Sequence, residues 1–295
     1  MRLAAALPLP ALHAAGWLLG WLMYLASPRY ARRLRANLTA AGYSGSRLRR
    51  RAIAEAGKML TELPLVWLRP RAKLLRLVRA IDGEALVEAA RDAKLGIVFI
   101  TPHLGCFEIT AQVAAERFPI TVLYRVPKIA GLQPFIEAGR AQENVRLAAA
   151  DLSGVRELLA ALKRHEAVGI LPDQVPMEGE GEWAEFFGRP AYTMTLASKL
   201  ASRPNTAAFL AFGERLPWGR GYKIHLRALP PALPGESRIR RLNRALEALI
   251  RTRPEQYLWA YNRYKAPEHA QLLQVSDAGT AQVPPAGAPD APPLT

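Results

Sequence analysis

The chain has one cysteine, Cys106, which excludes an intramolecular disulfide and leaves nothing for a cysteine-rich zinc site. Acid is scarce relative to base: 25 Asp and Glu stand against 40 Lys and Arg, a formal net charge of +15. Such an excess calls for an anionic partner or surface, and nucleic acid and an anionic membrane both qualify. No helix-turn-helix, RNA-binding signature or interleaving of aromatic and basic residues stands out, so nucleic acid is set aside as a partner. No Gly-x-Ser-x-Gly elbow is present, and Leu152-Ser-Gly154 is no substitute, which removes α/β-type serine hydrolysis.

Charge is missing altogether from Leu3 to Ala26, where His13 is the one ionisable side chain. A stretch of that length suffices for a hydrocarbon core of roughly 30 Å. Trp17, Trp21 and Tyr24 crowd its second half as interfacial anchors do. Arg29, Arg32, Arg33 and Arg35 follow directly, and such a block keeps the remainder on the cytoplasmic side. The rival is a cleavable signal peptide ending near Leu25-Ala-Ser-Pro28, against which stand the lone Arg2 and the basic block. Residues 1–28 therefore read as a membrane anchor that spans or embeds, with Pro8 and Pro10 allowing a slanted entry. The basic helices that follow, broken at Gly42-Tyr-Ser-Gly45, suit acidic headgroups or a solvated face. Leu63 to Val78 reads as one more amphipathic stretch.

From residue 96 onward strands and helices alternate. Gly96–Ile100, Ile120–Tyr124, Val145–Ala149 and Ala167–Leu171 read as short buried strands, as do Thr206–Phe212 and Tyr222–Ala228. Ser153–Lys163, Thr193–Ser202 and Glu236–Arg251 read as helices, the last with Ile239, Leu242, Leu246, Leu249 and Ile250 as its apolar stripe. This alternation predicts an α/β fold, a mostly parallel sheet flanked by helices, over residues 29–268. Residues 269–295, rich in Pro and Ala and without periodicity, read as a disordered tail.

Active groups in such sheets gather in the loops after the strands. His103 stands at the turn after the first strand of this series, with Glu108 about one helical turn on. The pair suits a general base whose imidazole is oriented by a carboxylate, although a lone His at a strand end also serves as a cap or surface residue. Arg125 follows the next strand, and its planar fork fits a phosphate or an oxyanion; a surface arginine is the plain alternative. Arg140 follows the same logic more weakly. Asp173 and Gln174 end a further strand and suit acceptor hydroxyls, or a turn. Phe186-Phe-Gly-Arg189-Pro190 suits a lid over a groove with Arg189 near phosphate, or a packed loop. Cys106 reads as a small apolar residue and not as a nucleophile.

His103-Leu-Gly-Cys-Phe-Glu108 resembles the His-x4-Asp/Glu motif of the glycerolipid acyltransferases. With Leu123-Tyr-Arg-Val-Pro127, Gly139-Arg140, Ile170-Leu-Pro-Asp-Gln174 and Phe186-Phe-Gly-Arg-Pro-Ala-Tyr-Thr193 in order, the chain is similar to the lipid A late acyltransferase branch as far as about Tyr264. Two departures stand out: Pro102 precedes the His where many members carry Asn, and Val175 follows Asp173-Gln174 where a second acid is common.

The resemblance implies O-acyl transfer by His103 and Glu108 without cofactor or metal, on the cytoplasmic face of a bacterial inner membrane. It implies an acyl carrier protein thioester as donor, acyl-CoA being served by similar charges, and a lipid A precursor as acceptor. A lysophospholipid or another glycolipid is the alternative acceptor. A non-catalytic basic protein that binds membrane or nucleic acid would explain the charge but none of the motifs.

Overall fold

The computed structural model describes residues 5–125, 133–140 and 142–267. The expected tail at 269–295 lies outside them, as do residue 268 and the first four residues of the expected anchor.

An apolar helix α1 (Leu9–Ala26) leads into α2 (Pro28–Ala40) and α3 (Ser46–Thr61), then two short helices, α4 (Leu63–Leu68) and α5 (Arg71–Leu75). Pro70 stands between these two, where proline removes a helical donor and clashes with the preceding turn. The amphipathic helix expected from Leu63 to Val78 is thus two short pieces, and the chain then forms a strand, β1 (Val78–Asp82), where no strand was anticipated. Beyond it come α6 (Glu84–Asp92), β2 (Gly96–Ile100), α7 (Phe107–Ala114), β3 (Ile120–Tyr124), α8 (Gln133–Arg140), β4 (Val145–Ala149) and α9 (Leu152–Lys163). The series ends with β5 (Ala167–Ile170), the hairpin β6 (Gly181–Phe186) and β7 (Arg189–Met194), α10 (Thr195–Ala201), β8 (Thr206–Arg215), β9 (Tyr222–Ala228) and α11 (Arg238–Thr252).

Seven strands form one sheet in the order β1-β9-β8-β2-β5-β3-β4. The strands from β8 to β4 are mutually parallel, and β9 turns back antiparallel to β8 with β1 parallel beside it. The mostly parallel sheet expected from the alternation is present. Every residue of β2 is buried, as a central parallel strand covered on both faces must be. Its successive side chains serve opposite layers: Val98 and Ile100 pack with Leu158, Leu246 and Phe212, whereas Ile97 and Phe99 pack with Val87, Ile109 and Phe209. The predicted stripe of α11 is buried in full, and Ser237 caps that helix by accepting from the Arg240 amide at 3.1 Å.

The apolar helix α1 is fastened to α3. A Cβ on Gly57 would lie 1.9 Å from the Gly16 carbonyl oxygen, so the two backbones touch in a way that only glycine permits. Thr61 donates to the Leu12 carbonyl at 2.8 Å. The opposite side carries Trp17, Leu18, Leu22 and Leu25, each more than half exposed. By length and composition α1 is able to cross a membrane.

Candidate active site

β2 and β5 lie side by side and parallel, so the loops after them share one rim. His103 is on the first and Asp173 on the second. The Thr101 amide donates to the Ile170 carbonyl at 3.0 Å and carries the strand pairing one residue past β2. Asp173 then takes His103 from two directions. Its Oδ2 accepts from the His103 amide at 2.9 Å, and its Oδ1 lies 2.8 Å from Nδ1 of the ring. An ionised carboxylate only accepts, so Nδ1 carries the proton and Nε2 presents its lone pair. The Gln174 amide nitrogen sits 3.0 Å from that Nε2, as a donor to it. The ring also packs on Phe107, with centroids 4.7 Å apart.

Asp173 is buried. Burial alone would push its carboxyl up, but His103, through the charge of its ring and one hydrogen bond each from the ring and the backbone amide, and Arg263 together hold it below the ordinary aspartate range. Arg263 is buried beside it; burial lowers its pKa, and Nη1 donates to the Tyr192 carbonyl at 2.7 Å. Burial and the neighbouring Asp173 charge push the Tyr257 phenol well above its usual value. Sequence reading missed both Arg263 and Tyr257, and nothing in the local pattern marks either.

The expected partnership was of His103 with Glu108; in the structure the carboxylate hydrogen-bonded to the ring is that of Asp173. Glu108 stands in the first turn of α7 and is held by another set of donors. Arg140 Nε lies 3.1 Å from both Glu108 carboxylate oxygens, its Nη2 adds a further short bond, and Trp67 Nε1 donates to Oε2 at 3.1 Å. Five residues and a left-handed turn at Gly105 (φ +60°) separate Glu108 from His103, and both side chains line the same cavity. Arg140 was expected at the site, and it arrives as the partner of Glu108.

His103, Gln174, Glu108, Arg140 and Arg125 line the mouth of a cavity of about 800 Å³. Its interior is walled by Phe99, Val113, Phe118, Ile120 and Val122, an apolar slot between the sheet and α7. Arg125 is exposed at the end of β3. Arg189 is not brought in: its guanidinium stacks on the Tyr264 ring at 3.9 Å, outside the lining of this cavity. The expected lid is likewise a packed hairpin end. Phe186 and Phe187 are buried in the core, and the Phe187 amide donates to Glu247 at 3.1 Å.

Cys106 is buried, and burial raises its thiol well above the usual value, which removes it as a thiolate nucleophile. Among the described residues no group of His, Cys, Asp and Glu side chains is arranged to hold a metal ion.

A histidine whose Nε2 acts as an acceptor, oriented by a buried carboxylate and lining an apolar slot with several arginines, suits acyl chemistry on an anionic amphiphile. The sequence matches the bacterial lipid A biosynthesis acyltransferase family over residues 1–266. The chain belongs to that family and is an acyltransferase of lipid A biosynthesis. Among its relatives, the lipid A biosynthesis lauroyltransferase of Escherichia coli K12 is 26% identical over 275 residues, covering 89% of this chain and 88% of the relative. The lipid A biosynthesis palmitoleoyltransferase of the same organism is also 26% identical, over 213 residues, covering 71% of this chain and 68% of the relative. A lipid A biosynthesis acyltransferase of Shigella flexneri gives the same figures.

Proposed function

We propose that the enzyme moves a fatty acyl chain from an acyl carrier protein thioester to a hydroxyl of a lipid A precursor, with His103 as general base. The observation that carries this reading is the Asp173–His103 pair, 2.8 Å apart, at the mouth of the apolar cavity. The acyl chain occupies the slot, which leaves the thioester carbonyl beside Nε2. The acceptor hydroxyl displaces Gln174 from Nε2 and gives up its proton as its oxygen attacks the carbonyl carbon. The C–S bond then breaks, and the imidazolium returns the proton to the departing sulfur. Asp173 keeps the proton on Nδ1 before attack and balances the ring charge after it.

Glu108 takes a supporting part in this reading. It holds Arg140 at the cavity wall, where Nη1 has no hydrogen bond among the described residues and is open to an oxyanion or a phosphate. Arg125 faces the phosphate or sugar end of a substrate. Exposed Arg29, Arg32 and Arg35 on α2 meet acidic headgroups, while the exposed leucines and Trp17 of α1 enter the acyl layer. This arrangement supports a site facing the cytoplasm at the inner membrane.

The test is acyl transfer by detergent-extracted protein, wild type beside His103→Ala. Donors are acyl carrier protein thioester and acyl-CoA; acceptors are a lipid A precursor and a lysophospholipid. Transfer from the carrier protein thioester to the lipid A precursor, reduced about 10³-fold or more by His103→Ala, is expected. Transfer to lysophospholipid alone would replace the acceptor, transfer from CoA alone would replace the donor, and full activity in His103→Ala would remove the base.

A further inference from the structure

Behind the catalytic loop lies a sealed ionic cluster that the reaction scheme above does not use. Arg215, the last residue of β8, is buried, and so is Glu62 at the end of α3. Arg215 Nε donates to Glu62 Oε1 at 2.6 Å, and Nη1 lies 3.4 Å from Glu55 Oε2. Tyr222 donates its hydroxyl to Glu62 Oε2 at 2.8 Å, and Nε2 of His13, from the apolar helix α1, lies 3.3 Å from the same oxygen. Burying an ion pair of this kind gives little net stability, because desolvation offsets the attraction. A well-packed apolar pair would serve as well if stability were the only demand, so the cluster invites a second explanation.

That explanation lies in the third arm of the guanidinium. Arg215 Nη2 donates to the Gly105 carbonyl at 2.8 Å, and Gly105 stands between His103 and Glu108. The neighbouring residue contacts converge on the same peptide. The Gly105 amide donates to the Gln256 carbonyl at 3.0 Å. The Gln256 side chain in turn brackets Arg215, accepting from its amide at 2.9 Å and donating to its carbonyl at 3.0 Å. The Cys106 amide donates to the Gly213 carbonyl at 2.8 Å, and the Leu258 amide to the His103 carbonyl at 3.1 Å. A Cβ at Gly105 would meet the Gly213 carbonyl oxygen at 2.1 Å, so the loop lies hard against β8.

We propose that Arg215 is a positioning residue for acyl transfer: its fork, anchored by Glu62, fixes the Gly105 carbonyl and so sets the register of His103 and Glu108 against the cavity. This rests on His103 being the base. One fork holds a carboxylate and a peptide carbonyl at a fixed separation, a geometry that the point charge of a lysine does not reproduce. His13 makes the apolar N-terminal helix part of the same support, so α1 braces the catalytic loop as well as meeting lipid.

The test compares Arg215→Lys and Gln256→Met with wild type in the full-length protein. Arg215→Lys keeps a cation for Glu62 and loses the second hold on Gly105. Its expected result is a kcat lower by about 10²-fold with KM for donor and acceptor changed less than about twofold, since a displacement near 1 Å costs that much in rate. Amide hydrogen exchange at Gly105 and Cys106 is expected to quicken in Arg215→Lys while thermal melting stays close to wild type. Gln256→Met, which removes the bracket and no charge, is expected to act in the same direction by about 10-fold.

Unchanged exchange at Gly105 and Cys106 in both variants would overturn the proposal whatever the activity. So would a rate loss that only follows the fraction of unfolded protein. Exchange needs no substrate, so it decides the positioning role even if the wild-type enzyme fails to acylate the lipid A precursor and the functional reading above falls.

Discussion

Two clusters of paired charge sit on either side of the loop from His103 to Glu108, and they are built differently. On the cavity side, each pair leaves something unspent: His103 keeps Nε2 beside a displaceable amide, and Arg140 keeps Nη1 without a hydrogen bond among the described residues. On the far side, Glu62 has both oxygens engaged and Arg215 has all three nitrogens engaged, out of reach of solvent. The first arrangement suits exchange of partners with a substrate, and the second suits permanence. The same residue types, acid and base within 3 Å or so, thus do chemistry or hold shape according to which valences face the cavity.

The comparison breaks most sharply at Asp173. Asp173→Ala is expected to lower kcat by about 10³-fold or more, because the ring loses its tautomer control and its counter-charge together; steady-state kinetics at fixed pH measures it. Disturbing the sealed side should act first on stability. Glu62→Leu leaves Arg215 buried without its main counter-charge, at a cost of about 3–5 kcal/mol, or a melting temperature lower by about 10 °C. The double change Glu62→Leu with Arg215→Met is expected to regain most of that melting temperature while activity stays low.

Glu108→Gln should lower kcat/KM by about 10- to 100-fold, since Arg140 loses its charged partner while His103 keeps Asp173. A loss as large as that of Asp173→Ala would return the ring-orienting role to Glu108.

Acid should separate the clusters more gently. The Glu62 carboxyl falls from 4.5 to about 2 on folding: burial alone would raise it, and Arg215 and His13 more than reverse that. Asp173 is also held below its ordinary value. The folded state therefore binds fewer protons than the unfolded chain in that window. The stability these groups contribute is complete above about pH 4.5 and is lost as pH falls toward 2. Melting scans from pH 7 downward should show a decline confined to that range. The smallest effect belongs to Cys106→Ala, which is expected to leave kcat within about twofold and stability lower by about 1 kcal/mol, because the thiol serves as an apolar filler.

Much of this was legible in the chain. The strands at Ile120–Tyr124, Val145–Ala149 and Tyr222–Ala228 fall at the expected residues, because short apolar runs between turn residues have few alternatives. Elsewhere tertiary context shifted the boundaries. Thr193 and Met194, expected to open a helix, instead close β7 against Glu182 and Gly181 of β6. β8 runs on to Arg215, past the expected end at Phe212, because the pairing with β9 and the ionic cluster accommodate Glu214 and Arg215 at its end. Nothing in the local pattern marks that cluster: Arg215 lies beyond the apolar run that ends at Phe212, and only the structure shows it to be buried.

By itself the sequence determined the alternation, the charge-free first helix with its basic sequel, and His103 at a strand end, since each depends on residues within a turn or two of one another. Which carboxylate meets His103 was decided by the tertiary structure. Asp173 lies 70 residues away along the chain, and it reaches the ring because β5 takes the place beside β2 in the sheet. Strand order is set by how whole layers bury their faces against one another, and that is a property of the assembled sheet.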